Sequence, residues 1–185
     1  QNFLALLETH GISCVVDVRS TPVSQRYPQF NRETLRQALA EHEILYMHFG
    51  KEFGARRENT AVLTGEGKVD FEKVRRTESF RQGIQRLEMG IEQGYQIALM
   101  CAESHPLECH RFSMIAVHLD ELGWEVQHIL KDKSLVSHRE MEEELLKKFA
   151  KKLPQPSLFE PEISEDDQKK AAYRLHNEEV GWQAS

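Results

Sequence analysis

Short apolar runs and amphipathic stretches alternate along this chain. Phe3, Leu4, Leu6 and Leu7 mark a helix end that Gly11 stops. Ser13 to Val18, rich in valine, reads as a short buried strand ending in Asp17-Val18-Arg19-Ser20. The loop Thr21 to Phe30 holds two prolines, and Asn31 is placed to cap a helix through about His42. Leu45 to Phe49 predicts a second strand. Residues 50–68 form a Gly- and Arg-containing loop long enough to suggest function. Phe71 to Gln93 predicts one or two helices, with a break near Thr77. Gln96 to Met100 predicts a third strand, Cys109 to Leu122 a helix closed by Gly123, and Trp124 to Leu130 a fourth strand. Ser137 to Lys152 predicts a helix with Ser137 and Glu140 in a capping box.

Strands that alternate with helices predict an α/β fold: a three-layer domain with a mainly parallel sheet and helices on both faces. The expected domain spans 1–152. From Leu153 the chain carries Pro154, Pro156 and Pro161 and must leave the helix. The tail 153–185 is polar and acidic, with a short helix expected over Ser164 to Glu179 as a C-terminal helical extension. The sequence opens inside a helix, so an earlier strand is expected to precede it. A length of 185 residues suits one domain with an appendage.

The net charge of −6 argues against a wholesale nucleic-acid coat. Acid concentrates at Glu140 to Glu144 and Glu160 to Asp167, whereas Arg19, Arg26, Arg32, Arg36, Arg56, Arg57, Arg75 and Arg76 lie earlier. A locally basic pocket for an anionic small molecule or a nucleic-acid component is therefore compatible with an acidic chain. No apolar run reaches the length of a membrane span and no secretory segment opens the sequence, so no membrane partner is expected. Three cysteines, at 14, 101 and 109, make no disulfide framework and point to a reducing compartment, hence the cytoplasm.

The most informative stretch runs from Ile97 to Arg111. Apolar residues lead into Cys101-Ala102-Glu103, a polar loop, and then Cys109-His110-Arg111 at the start of a helix. Open α/β sheets place ligands at such strand-to-helix turns, and helix N-termini favour thiolates and anions. Taken alone, Cys101 reads first as a small buried hydrophobe at a strand end, and Glu103 shifts that reading toward a site. Glu103, two residues on, points to the same side if the strand continues. Cys109 reads either as a core residue at a helix start or as a thiol activated by the helix and by Arg111, and Arg111 either as an anion ligand or as an ion-pair partner of Glu103 or Asp17. The two cysteines can face one another, which allows a disulfide switch or a metal shared with His110. Cys-x7-Cys-His is not an established zinc spacing, and no cofactor is expected. Leu107 occupies the position where a cysteine phosphatase loop needs arginine. Asp17 with Arg19 is either a loop-fixing ion pair or a site carboxylate with an anion clamp. The turn Phe53-Gly54-Ala55-Arg56-Arg57 is either a solvated loop or a binding loop. His128 is expected to be a satisfied core histidine.

Taken together, Asp17-Val18-Arg19-Ser20-Thr21-Pro22, Pro28-Gln29-Phe30-Asn31, Ile44-Leu45-Tyr46, Cys101-Ala102-Glu103, Cys109-His110-Arg111 and Val126-Gln127-His128-Ile129-Leu130 resemble the bacterial and archaeal family catalogued as domain of unknown function 488. The resemblance runs from about residue 2 to residue 130. That family usually opens with a strand ending in Gly-His-Ser, which this sequence lacks. Its Leu-Gly-Gly-x-Arg loop corresponds to Phe53-Gly54-Ala55-Arg56-Arg57, with Ala55 in place of a glycine. The resemblance implies no particular activity. Separately, Gln155-Pro156-Ser157-Leu158-Phe159 is similar to the bacterial sliding-clamp-binding pentapeptide, with Pro156 in place of the usual leucine. This implies a clamp contact through Gln155, Leu158 and Phe159, unless Leu158 and Phe159 instead strap the tail to the domain.

The expected catalytic groups are Cys101, Glu103, Cys109 and Asp17, with Arg19, Ser20, Tyr46, Gly54, Arg56, His110 and Arg111 binding substrate. One expectation is an enzyme for thiol-dependent transfer or hydrolysis on a nucleotide, nucleobase or other anionic small substrate, linked to DNA processing through the tail. The other is a non-catalytic ligand-binding or adaptor module whose cysteines are structural.

Overall fold

Strand β1 (Cys14–Asp17) carries four consecutive buried residues, because it is the middle strand of the sheet and both of its faces are covered. A computed structural model describes residues 2–156 and 162–184. β1 pairs in parallel with β2 (Leu45–His48) on one side and β3 (Ile97–Met100) on the other, with Asp17 level with His48 and Met100. At the carboxyl edge the Phe49 N–H donates to the Asp17 carbonyl at 2.9 Å and the Val18 N–H to the Met100 carbonyl at 2.9 Å. The three strands therefore end together, and the loops that follow them leave from one edge.

Period-two alternation divides the sheet residues between two cores. Val15, Tyr46 and Met100 pack with Leu7, Leu35 and Leu39 from α1 (Asn2–Thr9) and α2 (Arg32–Ala40). Cys14, Val16 and Val18 pack on the other face. Their neighbours come from α3 (Gly50–Phe53), α4 (Phe71–Arg75), α5 (Glu78–Glu92) and the segment that follows β3. This is the expected three-layer α/β arrangement. The predicted break at Thr77 separates α4 from α5, and the Thr77 hydroxyl accepts from the Phe80 N–H at 3.3 Å. Asn31 precedes α2 without capping it by its side chain. Its Oδ1 accepts from the Ser24 N–H at 2.6 Å instead, so the preceding loop has claimed the cap. The 50–68 loop is also more ordered than expected, since it contains α3 and a 3-10 turn at Thr60–Val62.

Two expectations need correcting after β3. The helix predicted from Cys109 begins at Arg111, and its first six residues (Arg111–Ala116) are π-helical before α6 (Val117–Glu121) continues to the Gly123 stop at φ +82°. Phe112 through Ala116 are all buried, because this segment is gripped from two sides. Met114 and Ile115 enter the sheet core, and Phe112 enters a third cluster with Leu107, Met141 and Leu145. The strand predicted at Trp124–Leu130 does not join the parallel sheet. β4 (Gln127–Ile129) pairs antiparallel with β5 (Leu135–Ser137) in a separate ribbon. The tight turn between them explains this: Lys133 donates to the Leu130 carbonyl at 2.9 Å, Lys133 adopts φ +72°, and Asp132 accepts from the Ser134 N–H. The chain returns on itself before it can cross back to the sheet.

The predicted capping box holds: Ser137 and Glu140 satisfy each other's backbone amides at the start of α7 (His138–Phe149). Residues 157–161, including Leu158 and Phe159 of the clamp-like peptide, lie outside the described residues. Beyond them α8 (Glu165–Val180), capped by Ser164, packs along α7 and onto the π-helical segment, with Ala172 and His176 fully buried. Among the described residues no helix is long and apolar enough to cross a membrane.

Two buried histidines, His138 and His176, and the half-buried His128 fasten this part of the fold. His176 Nε2 lies 2.9 Å from the Leu107 carbonyl, which can only accept, so Nε2 carries the proton and Nδ1 accepts from the Ser113 hydroxyl at 2.8 Å. A second chain has a fixed direction too. Tyr173 donates to Glu142 at 3.1 Å and so accepts from His138 Nε2 at 3.0 Å. His138 Nδ1 then accepts from His128 Nε2 at 3.1 Å. All three imidazoles lie against Phe112, His128 and His138 tilted and His176 edge-on. His128, expected to be a satisfied core histidine, is hydrogen-bonded but only half-buried. Burial lowers the affinity of all three rings for a second proton. His128 is pushed down to about 3, with the His138 and Arg111 charges adding to the effect.

Protonation of these rings should therefore unfold the chain in acid. The unfolded chain binds protons there near pH 6.5 and the folded chain does not, so their stabilisation is complete above that pH and is lost as pH falls toward about 3. Each such group adds up to about 1.4 kcal/mol per pH unit to the slope. Urea midpoints for the parent chain and His128→Asn between these limits should show a shallower loss in the variant. Parallel curves would mean that His128 titrates normally.

Candidate functional site

The expected site residues fall into three groups at the carboxyl edge of the sheet. The first surrounds Asp17, which is wholly buried. Its Oδ1 accepts from the Arg19 N–H at 3.1 Å and from Arg19 Nε at 2.9 Å, and its Oδ2 accepts from Arg19 Nη2 at 2.6 Å and from the Tyr46 hydroxyl at 2.7 Å. Arg19 Nη2 also reaches the Phe30 carbonyl at 2.8 Å. A buried carboxylate is stable only with such a full set of donors. Burial, and then the Asp17 carboxylate, push the Tyr46 phenol above its ordinary range. These residues face the α1/α2 side of the sheet.

The second group faces the other side, where Cys101 packs against the core containing Val16 and Val18. Cys101 follows β3, and the chain then turns through Pro106–Glu108 to return at Cys109. The Cys101 thiol donates to Glu103 Oε2 at 3.1 Å. His110 Nδ1 lies 3.6 Å from the Cys101 Sγ and 3.7 Å from the Cys109 Sγ. Cys109 and His110 are buried, Cys101 is part-buried and Glu103 is exposed. The Arg111 N–H donates to the Cys109 Sγ at 3.4 Å, and the Arg111 guanidinium donates to the carbonyls of Leu99 at 3.2 Å and Glu103 at 2.9 Å. Arg111 thus staples the outgoing and returning arms of the loop.

The two thiols are shifted in opposite directions. Its hydrogen bond to Cys109, burial, and the negative charges of Cys109 and Glu103 push the Cys101 thiol well up. Burial also opposes ionisation of Cys109, but hydrogen bonds from Cys101 and His110 and the charges of His110 and Arg111 outweigh it and hold Cys109 well below the usual thiol value. Cys14 has no such company, and burial alone pushes it up to about 11.

The third group is Ser20, Gly54 and Arg56. The Ser20 hydroxyl accepts from the Arg56 N–H at 2.9 Å, and Gly54 lies so close to Ser20 and the Gly50 carbonyl that a Cβ would collide with both. Arg57 turns inward instead and caps the end of α3 by donating to the carbonyls of Lys51, Glu52 and Gly54. A cavity of about 510 Å³ opens here, and Ser20, Arg56, Arg57, Glu58 and Trp182 are among the residues that line it. Sequence reasoning did not find Trp182. Its signal was an indole at the end of an otherwise polar tail. It also missed the His128–His138–Tyr173–Glu142 chain, whose members come from three elements.

Among the described residues no side-chain hydrogen bond joins the Asp17 group to the cysteine group. Arg19 and Arg111 both hold protein acceptors, whereas Arg56 is exposed. Cys101, Cys109 and His110 form a set able to hold a metal, since their ligand atoms all lie within 4.8 Å of one another.

Asp17→Ala should destabilise the fold by roughly 3–5 kcal/mol, because it strands Arg19 in the interior. Glu103→Gln, at an exposed position, should change stability by less than about 0.5 kcal/mol. Chemical denaturation of the two variants checks both, and similar costs would contradict these environments. Gly54→Ala should cost about 1–3 kcal/mol by overpacking against Gly50 and Ser20. A neutral result in the same assay would show that the loop can move aside.

No curated protein and no solved structure matches the chain. A family model described as "Domain of unknown function DUF488" matches residues 1–117, which include β1, β2, β3 and the whole Cys101–Arg111 loop. The chain belongs to the DUF488 family.

Proposed function

We propose that this protein is an enzyme of hydrolysis or group transfer acting on a nucleotide, nucleobase or other anionic small molecule. Its reacting centre is the cluster of Cys101, Glu103, Cys109 and His110. One observation carries this reading. The Cys101 thiol and the exposed Glu103 carboxylate are hydrogen-bonded at 3.1 Å, directly against the buried Cys109–His110 pair. Placing a buried and a part-buried thiol beside an imidazole while leaving a carboxylate open suits a site that handles protons at a substrate better than it suits packing. Glu103 is the acid–base group. The segments after β1 and α3 supply Ser20 and the exposed Arg56, beside a cavity of about 510 Å³, for the anionic portion. The Gln155–Phe159 sequence supports a further link to DNA processing through a sliding clamp.

A second reading, a non-catalytic ligand-binding module, is favoured by the fact that Arg19 and Arg111 are already occupied by protein acceptors. A panel of nucleobases, nucleoside phosphates and sugar phosphates separates the two. The enzyme reading expects turnover of at least one member. Cys101→Ser and Glu103→Gln should each lower kcat by about 10²- to 10⁴-fold. Arg56→Ala should act mainly through KM. A member that binds in calorimetry and is recovered unchanged supports the module instead.

A further inference from the structure

We propose that Cys101, Cys109 and His110 form a three-ligand site for a divalent zinc-type ion, bound through the two Sγ atoms and Nδ1, with Glu103 beside an open fourth position. The inference rests on the site of the proposed function but not on turnover. It names the group that this site holds.

The spacing is the first argument. Zinc bonds thiolate sulfur at about 2.3 Å and imidazole nitrogen at about 2.0–2.1 Å, so a tetrahedral ion separates S from N by about 3.6 Å. The observed separations from His110 Nδ1 are 3.6 Å to Cys101 and 3.7 Å to Cys109. Nδ1 is nearly equidistant from the two sulfurs, and all three ligand atoms lie within 4.8 Å of one another. Two thiolates with an imidazole are a donor set that selects a borderline-soft ion such as Zn²⁺ over Mg²⁺ or Ca²⁺.

Burial is the second. Cys109 and His110 are 1% and 7% exposed. The opposite imidazole nitrogen, Nε2, is buried without a partner among the described residues, so the ring is not held in place by hydrogen bonds through Nε2. The ring's polar contacts therefore all lie on the Nδ1 side, toward the two sulfurs. The backbone supports the same atoms. The Arg111 N–H points at the Cys109 Sγ at 3.4 Å, as amides do toward thiolates that carry negative charge. The Arg111 guanidinium holds the loop at Leu99 and Glu103, on either side of Cys101.

The third is the opening. Three protein ligands leave a tetrahedral ion one free position, which is the pattern of a catalytic rather than a structural zinc. Glu103 reaches the Cys101 sulfur at 3.1 Å and is otherwise exposed, so the free position and the carboxylate share the solvent side. There Glu103 can accept a proton from a water on the ion. The unusual Cys-x7-Cys-His spacing follows from the fold, because the Pro106–Glu108 turn carries the chain back so that two consecutive residues meet a third across the loop.

The test uses the full chain, stripped with chelator and titrated with Zn²⁺ and with Co²⁺ as a spectroscopic substitute. The expected result is saturation at one ion per chain, a thiolate-to-cobalt charge-transfer band, and the visible bands of tetrahedral cobalt. Cys101→Ser, Cys109→Ser and His110→Ala should each weaken zinc by roughly 100-fold or more, whereas Glu103→Gln keeps the stoichiometry and the band. If a ligand variant fails to fold, the parent chain still answers. Saturating zinc should protect Cys101 and Cys109 from alkylation, and excess chelator should restore their reactivity. Absence of saturable binding, a cobalt spectrum lacking the thiolate band, or undiminished binding by Cys101→Ser overturns the site. Turnover of a panel member by a chain that shows no saturable zinc binding overturns the site and leaves the enzyme reading standing. Binding at one equivalent with no turnover of any panel member supports the site and removes that reading.

Discussion

A carboxylate sits fully buried at the end of the central strand, and its need for donors organises the edge where the site lies. An ionised Asp17 cannot remain in an apolar layer without compensation. Four donor contacts meet it, three from Arg19 and one from Tyr46 on the adjacent strand. Their cost is conformational. The chain must bend immediately after Val18 so that Arg19 can fold back, and Arg19 also pulls in Phe30 from the far end of the next loop. The Arg19 carbonyl in turn receives His48 from β2 at 2.9 Å. One buried charge therefore fixes the register of two strand ends and the course of the loop that carries Ser20. Those are the supports a binding edge needs, and they make Asp17 a group whose lone pairs are already occupied.

The opposite face depends on the segment Arg111–Ala116. An α-helical stretch has one apolar stripe, but this segment must serve the sheet core through Met114 and Ile115 and the helical cluster through Phe112. Its wider π turns accompany burial of every residue from Phe112 to Ala116, and π segments are frequent at functional sites. α8 completes the enclosure. His176 reaches both Ser113 in this segment and Leu107 in the site loop. Asn177 hydrogen-bonds the backbone at Phe71 and Val69. The C-terminal helix thus holds the loop that presents Cys109, although no residue of that helix lies in the cysteine cluster.

Features set by local chemistry were legible in the sequence. The valine run of β1, the Thr77 break, the Gly123 stop and the Ser137–Glu140 box each depend on neighbours within a few residues, and the structure has them all. Features set by competition over distance were not. Asn31 has the right identity and position for a cap, yet a loop amide seven residues away takes its oxygen. Trp124–Leu130 has strand character, but whether a strand joins a sheet depends on the following turn, and Lys131–Ser134 directs it into a hairpin. The site shows the same division. The chemistry-bearing residues were visible as a string from Cys101 to Arg111. What could not be read was that alternation sends Asp17 and Cys101 to opposite faces of the sheet, so that two groups at one edge do not touch.

The arginines show why side-chain identity alone is a poor guide to an anion site. Arg19, Arg56, Arg57 and Arg111 all lie in the segments that follow the strands at the same edge, yet three of them are occupied by the protein itself. Arg19 neutralises Asp17, Arg57 caps α3, and Arg111 ties Leu99 to Glu103. A guanidinium offers five donors in a rigid fork, which suits it to closing a loop as well as to gripping a phosphate. What separates the two uses is whether buried carbonyls are within reach, because a carbonyl removed from water must find a donor. Beside the cysteine cluster that demand is met by Arg111, and the loop it closes is what brings Cys101, separated by seven residues from Cys109, to within 3.6 Å of His110. The positive charge nearest the thiols therefore acts first as a fastener. Its electrostatic effect on Cys109 follows from that position, since the same residue whose side chain secures the loop also turns its own N–H onto the sulfur.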